Sequence, residues 1–316
     1  MERAPQVGSP GFIRTPAAPS ELVLKGMETV KAALTARFAR RREEDAGLAG
    51  LRTKLAEARR DIVRKSGVDL AALTGELRKL RRHRAARQSF ARLPGMQSEV
   101  PFDLAGVSGY SVVTPPYDYS WTNTGYVHYG PGTLTANADV QTGTLGIVDQ
   151  PDPSSVQENV SNAQAAVGIY FRPEVVGALR LQTIADISEY YGYFSLDAGA
   201  NTHGWAGFLV QAYEGGTNLL VETPVFQETT LFDVGAEGGI FPSGNNYDFP
   251  NLSIAFTAPT FSVIPSRWYA LWFWCGGDIH AQGLLYQDGP EDSTAYCTID
   301  ASVPYFVLDF TPIKLK

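Results

Sequence analysis

The chain has 316 residues, 44% of them hydrophobic and 19% charged, an ordinary globular balance at a length that accommodates two domains. Its net charge of −7 conceals a division: residues 1–98 hold 21 of the 26 Lys and Arg against 10 of the 33 acids (+11), and residues 99–316 hold 5 against 23 (−18). The acidic part would repel an anionic polymer, and segments of opposite sign in one chain either serve different partners or attract each other.

The first 20 residues are proline-rich and lack an apolar period, which predicts an extended arm that orders against a partner. No secretory signal is visible and no apolar run reaches the roughly 18–20 residues of a membrane helix. Synthesis and folding in the cytoplasm are expected, with later release or incorporation into a larger assembly.

Residues 21–98 read as a basic helical segment. Ser20–Glu21 is a plausible helix start, and Met27, Val30, Leu34 and Phe38 fall three and four apart on one face. A second stripe runs through Leu48, Leu51, Leu55, Ala58 and Ile62, and after the break at Gly67 a third runs through Leu70, Leu73, Leu77 and Leu80. Stripes this narrow make a seam between helices, so a helical hairpin or a short coiled coil that oligomerises is expected. Around the last stripe, Arg78, Lys79, Arg81, Arg82, Arg84 and Arg87 wrap the helix in positive charge. They form a docking surface for an acidic protein partner or scaffold, with nonspecific, salt-dependent nucleic-acid binding and an anionic membrane surface as alternatives.

From residue 99 the pattern changes to short runs rich in Val, Ile, Thr and aromatics, such as "AAVGIYFR", "ALRLQTIADI", "EYYGYFSL", "GWAGFLVQAYE", "AQGLLYQ" and "PYFVLDF". Turn text such as "DAGANTHG", "EGGTN", "PSGNNYD" and "QDGPED" lies between them. About a dozen short strands without helices between them predict an antiparallel β-sandwich of jelly-roll type over 99–316. The fold class is therefore α + β as separate domains, with N-terminal amphipathic helices ahead of an acidic sandwich.

The most informative stretch is "SRWYALWFWCGGDIHAQG", Ser266–Gly283. Strand alternation puts Trp268, Ala270, Trp272 and Trp274 on one face and Tyr269, Leu271, Phe273 and Cys275 on the other. Neither face is polar, so both must be covered. One covers the sandwich core; the other meets a further layer, a neighbouring subunit, the helical arm or a ligand. Aromatic faces stack on sugar rings, and Asp278 and His280 follow the glycine pair Gly276–Gly277, while His203 and Trp205 occupy another loop or strand start. Trp205, His203, Trp268, Trp272, Trp274, Asp278 and His280 are thus the candidate surface for a neutral ligand such as a glycan.

Other chemistry has weaker signatures. The histidines lack metal-ligand spacing, and no metal or cofactor is expected. The acidic loop with Asp288, Glu291 and Asp292 lacks the spacing of a helix-flanked calcium loop. Catalysis by Cys275 would require a base such as His280 beside it, and Cys275 and Cys297 are expected as free buried thiols, with a disulfide as the alternative. Phosphate-loop, dinucleotide and hydrolase-elbow motifs are missing. The expected function is non-enzymatic: a homo-oligomeric structural or attachment protein that docks through its arm and displays its sandwich. A carbohydrate-active hydrolase with a carboxylate pair is the alternative.

Overall fold

The computed structural model describes Phe12–Ile13 and residues 109–128, 132–151, 158–195, 199–215, 219–237, 243–282 and 293–313. Ala32, Lys54, Ala58, Asp61 and Lys65 are also described, each helical and exposed. The seam residues Leu48, Leu51, Leu55, Ile62, Leu70, Leu73, Leu77 and Leu80 lie outside the described residues, as do the basic positions 78–87 and the acidic loop with Asp288. Ala58, which the spacing assigns to the seam, is exposed.

The strands in chain order are β1 (Phe12–Ile13), β2 (Tyr110–Val113), β3 (Tyr119–His128), β4 (Gly132–Asp139) and β5 (Thr144–Pro151). They continue as β6 (Glu158–Pro173), β7 (Gly177–Ser195), β8 (Gly199–Glu214), β9 (Leu220–Phe226) and β10 (Thr229–Glu237). The last five are β11 (Ser243–Thr257), β12 (Phe261–Val263), β13 (Arg267–Gln282), β14 (Thr294–Ser302) and β15 (Phe306–Pro312). They form two antiparallel sheets, one of seven strands and one of eight, consistent with a β-sandwich. In the seven-stranded sheet β13 is central, between β6 and β8. β3 and then β1 lie along the outer edge of β6, and β9 and β10 share the outer edge of β8. In the eight-stranded sheet β7 is the spine, flanked by β14 and β15 on one side and β11 and β12 on the other.

Rings from the two sheets meet in the core. Phe208 of β8 lies 6.4 Å from Phe306 of β15, Phe273 of β13 lies 5.0 Å from Phe256 of β11, and Phe232 of β10 stacks on Tyr191 of β7 at 3.8 Å. The sheets differ in their second face. β7 alternates buried and half-buried positions along most of its length, the signature of one wet face. From His203 to Tyr213, β8 is buried at every position, and so is β13 from Tyr269 to Gly277.

Several strands are longer than the sequence pattern indicates. "ALRLQTIADI" and "EYYGYFSL" belong to one 19-residue strand, β7. Part of the turn text "DAGANTHG" opens β8, and most of "PSGNNYD" opens β11. The pair Gly276–Gly277 lies inside β13 instead of ending it. Close approach explains the glycines: a Cβ on Gly277 would lie 2.6 Å from Cys297 Sγ, and one on Gly276 would lie 2.5 Å from the Trp205 ring. The last five residues of "AQGLLYQ" lie outside the described residues.

Phe273 is completely buried and touches Phe208 and Phe256. Phe273→Ala should therefore lower unfolding free energy by about 3–5 kcal/mol, measured by urea denaturation.

Candidate functional site

Parity along the strands builds a continuous outer face on the seven-stranded sheet. Core-facing positions of β13 are Tyr269, Leu271, Phe273 and Cys275; Ala270, Trp272 and Trp274 belong to a second cluster on the opposite side. In register with them, β6 contributes Ala166 and Tyr170, β8 contributes Trp205, Leu209 and Tyr213, and β3 contributes Trp121. All seven candidate residues read from the sequence stand on this face, because His203 and Trp205 share parity on β8 as Trp268, Trp272, Trp274, Asp278 and His280 do on β13.

The face has two ends, and Trp268 is about 40 Å along the strand from His280 at ~3.3 Å per residue. At the aromatic end, Trp268 stacks on Tyr170 at 4.9 Å, and the Arg172 guanidinium lies 5.4 Å from the Trp268 ring. Tyr119 covers one side of Trp272 at 4.6 Å. Trp272 and Trp274 have no exposed surface; they are closed to a ligand in this structure and act as packing.

The polar end is more open. One cross-strand row places Asn162 of β6, Asp278 of β13 and His203 of β8 side by side. His203 Nδ1 is 3.8 Å from Asp278 Oδ2, beyond hydrogen-bond range but within reach of a charge pair when the imidazole is protonated. His203 stacks on Trp205 at 5.1 Å, and Trp205 meets Trp274 edge-on at 6.2 Å. The next row carries His280 opposite Asn201, and both Asp278 and His280 are half-buried. Sequence reasoning missed Asn162, Gln164, Tyr119 and Tyr170. Their parity is readable, but which strands flank β13 is not.

The catalytic readings fare differently. Cys275 faces the core and His280 the outer face, so the two cannot form a nucleophile–base pair. Cys275 and Cys297 are free and buried. Burial pushes the Cys275 thiol up to about 12, and burial likewise holds Cys297 well above the usual thiol range. Neither thiol should react with a thiol reagent such as DTNB until the protein is unfolded; labelling with and without denaturant measures this.

Asp149 of β5 is fully buried between the sheets, its two carboxylate oxygens each 2.8 Å from the Ser161 hydroxyl of β6. Burial pushes it up to about 7, against the lowering effect of the Ser161 bond and with a smaller upward push from the Asp278 charge. Asp149 lies inside the sandwich and Asp278 outside it, so these two carboxylates cannot flank one glycosidic bond. Glu189 of β7, also buried, is pushed up by burial to about 7. Among the described residues, no group of three or more His, Cys, Asp and Glu is arranged to hold a metal ion.

The sign of the pH dependence follows from these two acids. Their folded values are raised above the ordinary 3.8 and 4.5, so their stabilising contribution is complete below those values and is lost as pH rises through about 7. The urea midpoint should therefore fall between about pH 4 and about pH 7, and Asp149→Asn should flatten part of that fall.

No protein-family model matches the chain, and no curated protein matches it. One solved structure, that of the infectious bursal disease virus Gt strain, aligns at 9% identity over 70% of this chain and 46% of its own, with a TM-score of 0.09. The chain thus spans less than half of that protein, and a likeness this low carries no argument about fold or function.

Proposed function

We propose that this chain is a non-enzymatic assembly or attachment protein, docked or oligomerised through residues 21–98 and displaying the sandwich for packing against neighbours. The observation that carries the reading is the division of charge, +11 on residues 1–98 against −18 on the remainder, which gives an electrostatic route to association. Pairing of Phe12–Ile13 with Arg172–Pro173 puts part of the N-terminal arm on the sandwich edge. Jelly-roll connectivity and the basic docking surface of Arg78, Lys79, Arg81, Arg82, Arg84 and Arg87 belong to this reading.

Light scattering on the full chain tests it. A mass above that of the monomer is expected at low salt and should decrease with added salt. Reversing Arg78, Arg81, Arg82 and Arg84 to Glu should weaken association further if the basic surface drives it. A monomer at every salt concentration, unaffected by charge reversal, rejects the reading.

A second reading, binding of a neutral glycan at the polar end, draws on the partial exposure of Asp278 and His280 beside the His203–Trp205 stack. If it holds, Asp278→Asn should abolish retention of the protein on a glycan array without altering its assembly mass.

A further inference from the structure

The outer face of the seven-stranded sheet raises a question of cover. Side chains standing on one face of a sheet keep their tips in solvent unless another layer lies above them. Trp272, Trp274, Leu209 and Ala270 have no exposure at all. Yet among the described residues the partly buried hydrophobics packed against their cluster, Tyr119, Leu220 and Trp268, all belong to strands of the same sheet.

We propose that residues 21–92 of the same chain form that layer, laying the stripe Leu48, Leu51, Leu55 and Ile62 across the outer aromatic face and leaving the basic residues outward. The inference rests on the helical reading of the arm given above and specifies where its seam is used.

Four observations select this occupant. The first is where the segment is tethered. Its upstream end follows β1, held at Arg172–Pro173, and its downstream end leads to Gly109, whose carbonyl accepts a 2.8 Å hydrogen bond from Phe310 N. Phe310 pairs with Leu179, just past the turn that joins Pro173 to Gly177. The intervening chain therefore leaves and returns at one end of the sandwich, and Trp268, whose ring the Arg172 guanidinium overlies, marks that as the aromatic end. The second is length. A helix of about 20 residues spans about 30 Å, and the aromatic part of β13, Trp268 to Gly276, covers about 26 Å at ~3.3 Å per residue.

The third is helix phase. At 3.6 residues per turn, the exposed helical positions Lys54, Asp61 and Lys65 cluster on one side, about 90° around the axis from the Leu48, Leu51, Leu55 and Ile62 stripe. Ala58 falls between the two, at the border. The fourth is charge, since a cationic segment laid on an anionic sandwich is attracted to it.

The protein carries its own reporter. All five tryptophans, Trp121, Trp205, Trp268, Trp272 and Trp274, stand on this face, so intrinsic emission reads its cover and little else. In the full-length protein, Leu51→Asp combined with Leu55→Asp should shift tryptophan emission to the red and raise acrylamide quenching severalfold; unchanged emission and quenching overturn the proposal. A benzophenone side chain placed at residue 209 of the full-length chain, photolysed in an equal mixture of heavy- and light-isotope copies, identifies the occupant directly. Cross-links from residue 209 to peptides of 21–92 carrying the same label are expected. Cross-links to the other label would give the face to a second copy, and cross-links confined to sandwich peptides would leave the segment off it; either overturns the proposal. The assembly reading fails by a different result, a salt-indifferent monomeric mass, so the two are separable.

Discussion

The two-sided burial of β13 is the constraint on which the rest of the structure depends. A strand carrying Tyr269, Leu271 and Phe273 on one side and Trp268, Trp272 and Trp274 on the other has no face that water stabilises. At roughly 25 cal/mol per Å² of apolar surface removed from water, leaving either side wet would forfeit several kcal/mol for a protein whose net stability is of the order of 10 kcal/mol. The central place of β13 between β6 and β8 follows: only a middle strand is paired at both edges. Its neighbours accommodate it with small residues, as at Gly168, where an added Cβ would lie 2.9 Å from the Trp272 ring.

The eight-stranded sheet solves a simpler problem. β7 alternates Leu179, Leu181, Ala185 and Ile187 inward with Arg180, Gln182, Asp186 and Ser188 outward, so one face packs and the other is solvated. The interior is not wholly apolar. Asp149 reaches from this sheet to Ser161 of the other, a hydrogen bond made across the core. A carboxyl held near neutrality can occupy such a place because its protonated form carries no charge to desolvate. The sandwich thus contains a polar cross-tie at the end where its outer face carries Asp278 and His203.

In the proposed arrangement, electrostatics and hydrophobic cover act on the same surface. Acidic residues dominate the chain beyond residue 98 and basic ones the chain before it, while the most apolar outer surface in the sandwich faces away from the core. In that arrangement, long-ranged charge attraction would orient the two parts and short-ranged burial of aromatic area would fix them. An arm that combines a narrow Leu seam with a cationic surround is suited to both.

Alternation in "WYALWFWC" was legible without coordinates, and it determined that both faces of that strand are covered, because period-two geometry is local and independent of neighbours. The parity of Trp268, Trp272 and Trp274 was readable in the same way, the sandwich from the run of short strands, and the free state of the two thiols from the lack of an export signal; the parity of Asp278 and His280 was not. Strand ends were less so. Gly276–Gly277 looks like a break, yet only the nearness of Trp205 and Cys297 explains glycine inside a continuous strand. The polar edge strands "YSWTNTGYVH" and "GTLTANAD" gave little hydrophobic signal because an edge pairs through its backbone. Tertiary structure alone decided that His203 lies opposite Asp278, that Cys275 and His280 are separated by the sheet, and that Asp149 meets Ser161. Those relations depend on strand order and register between distant segments, which no local pattern of side chains encodes.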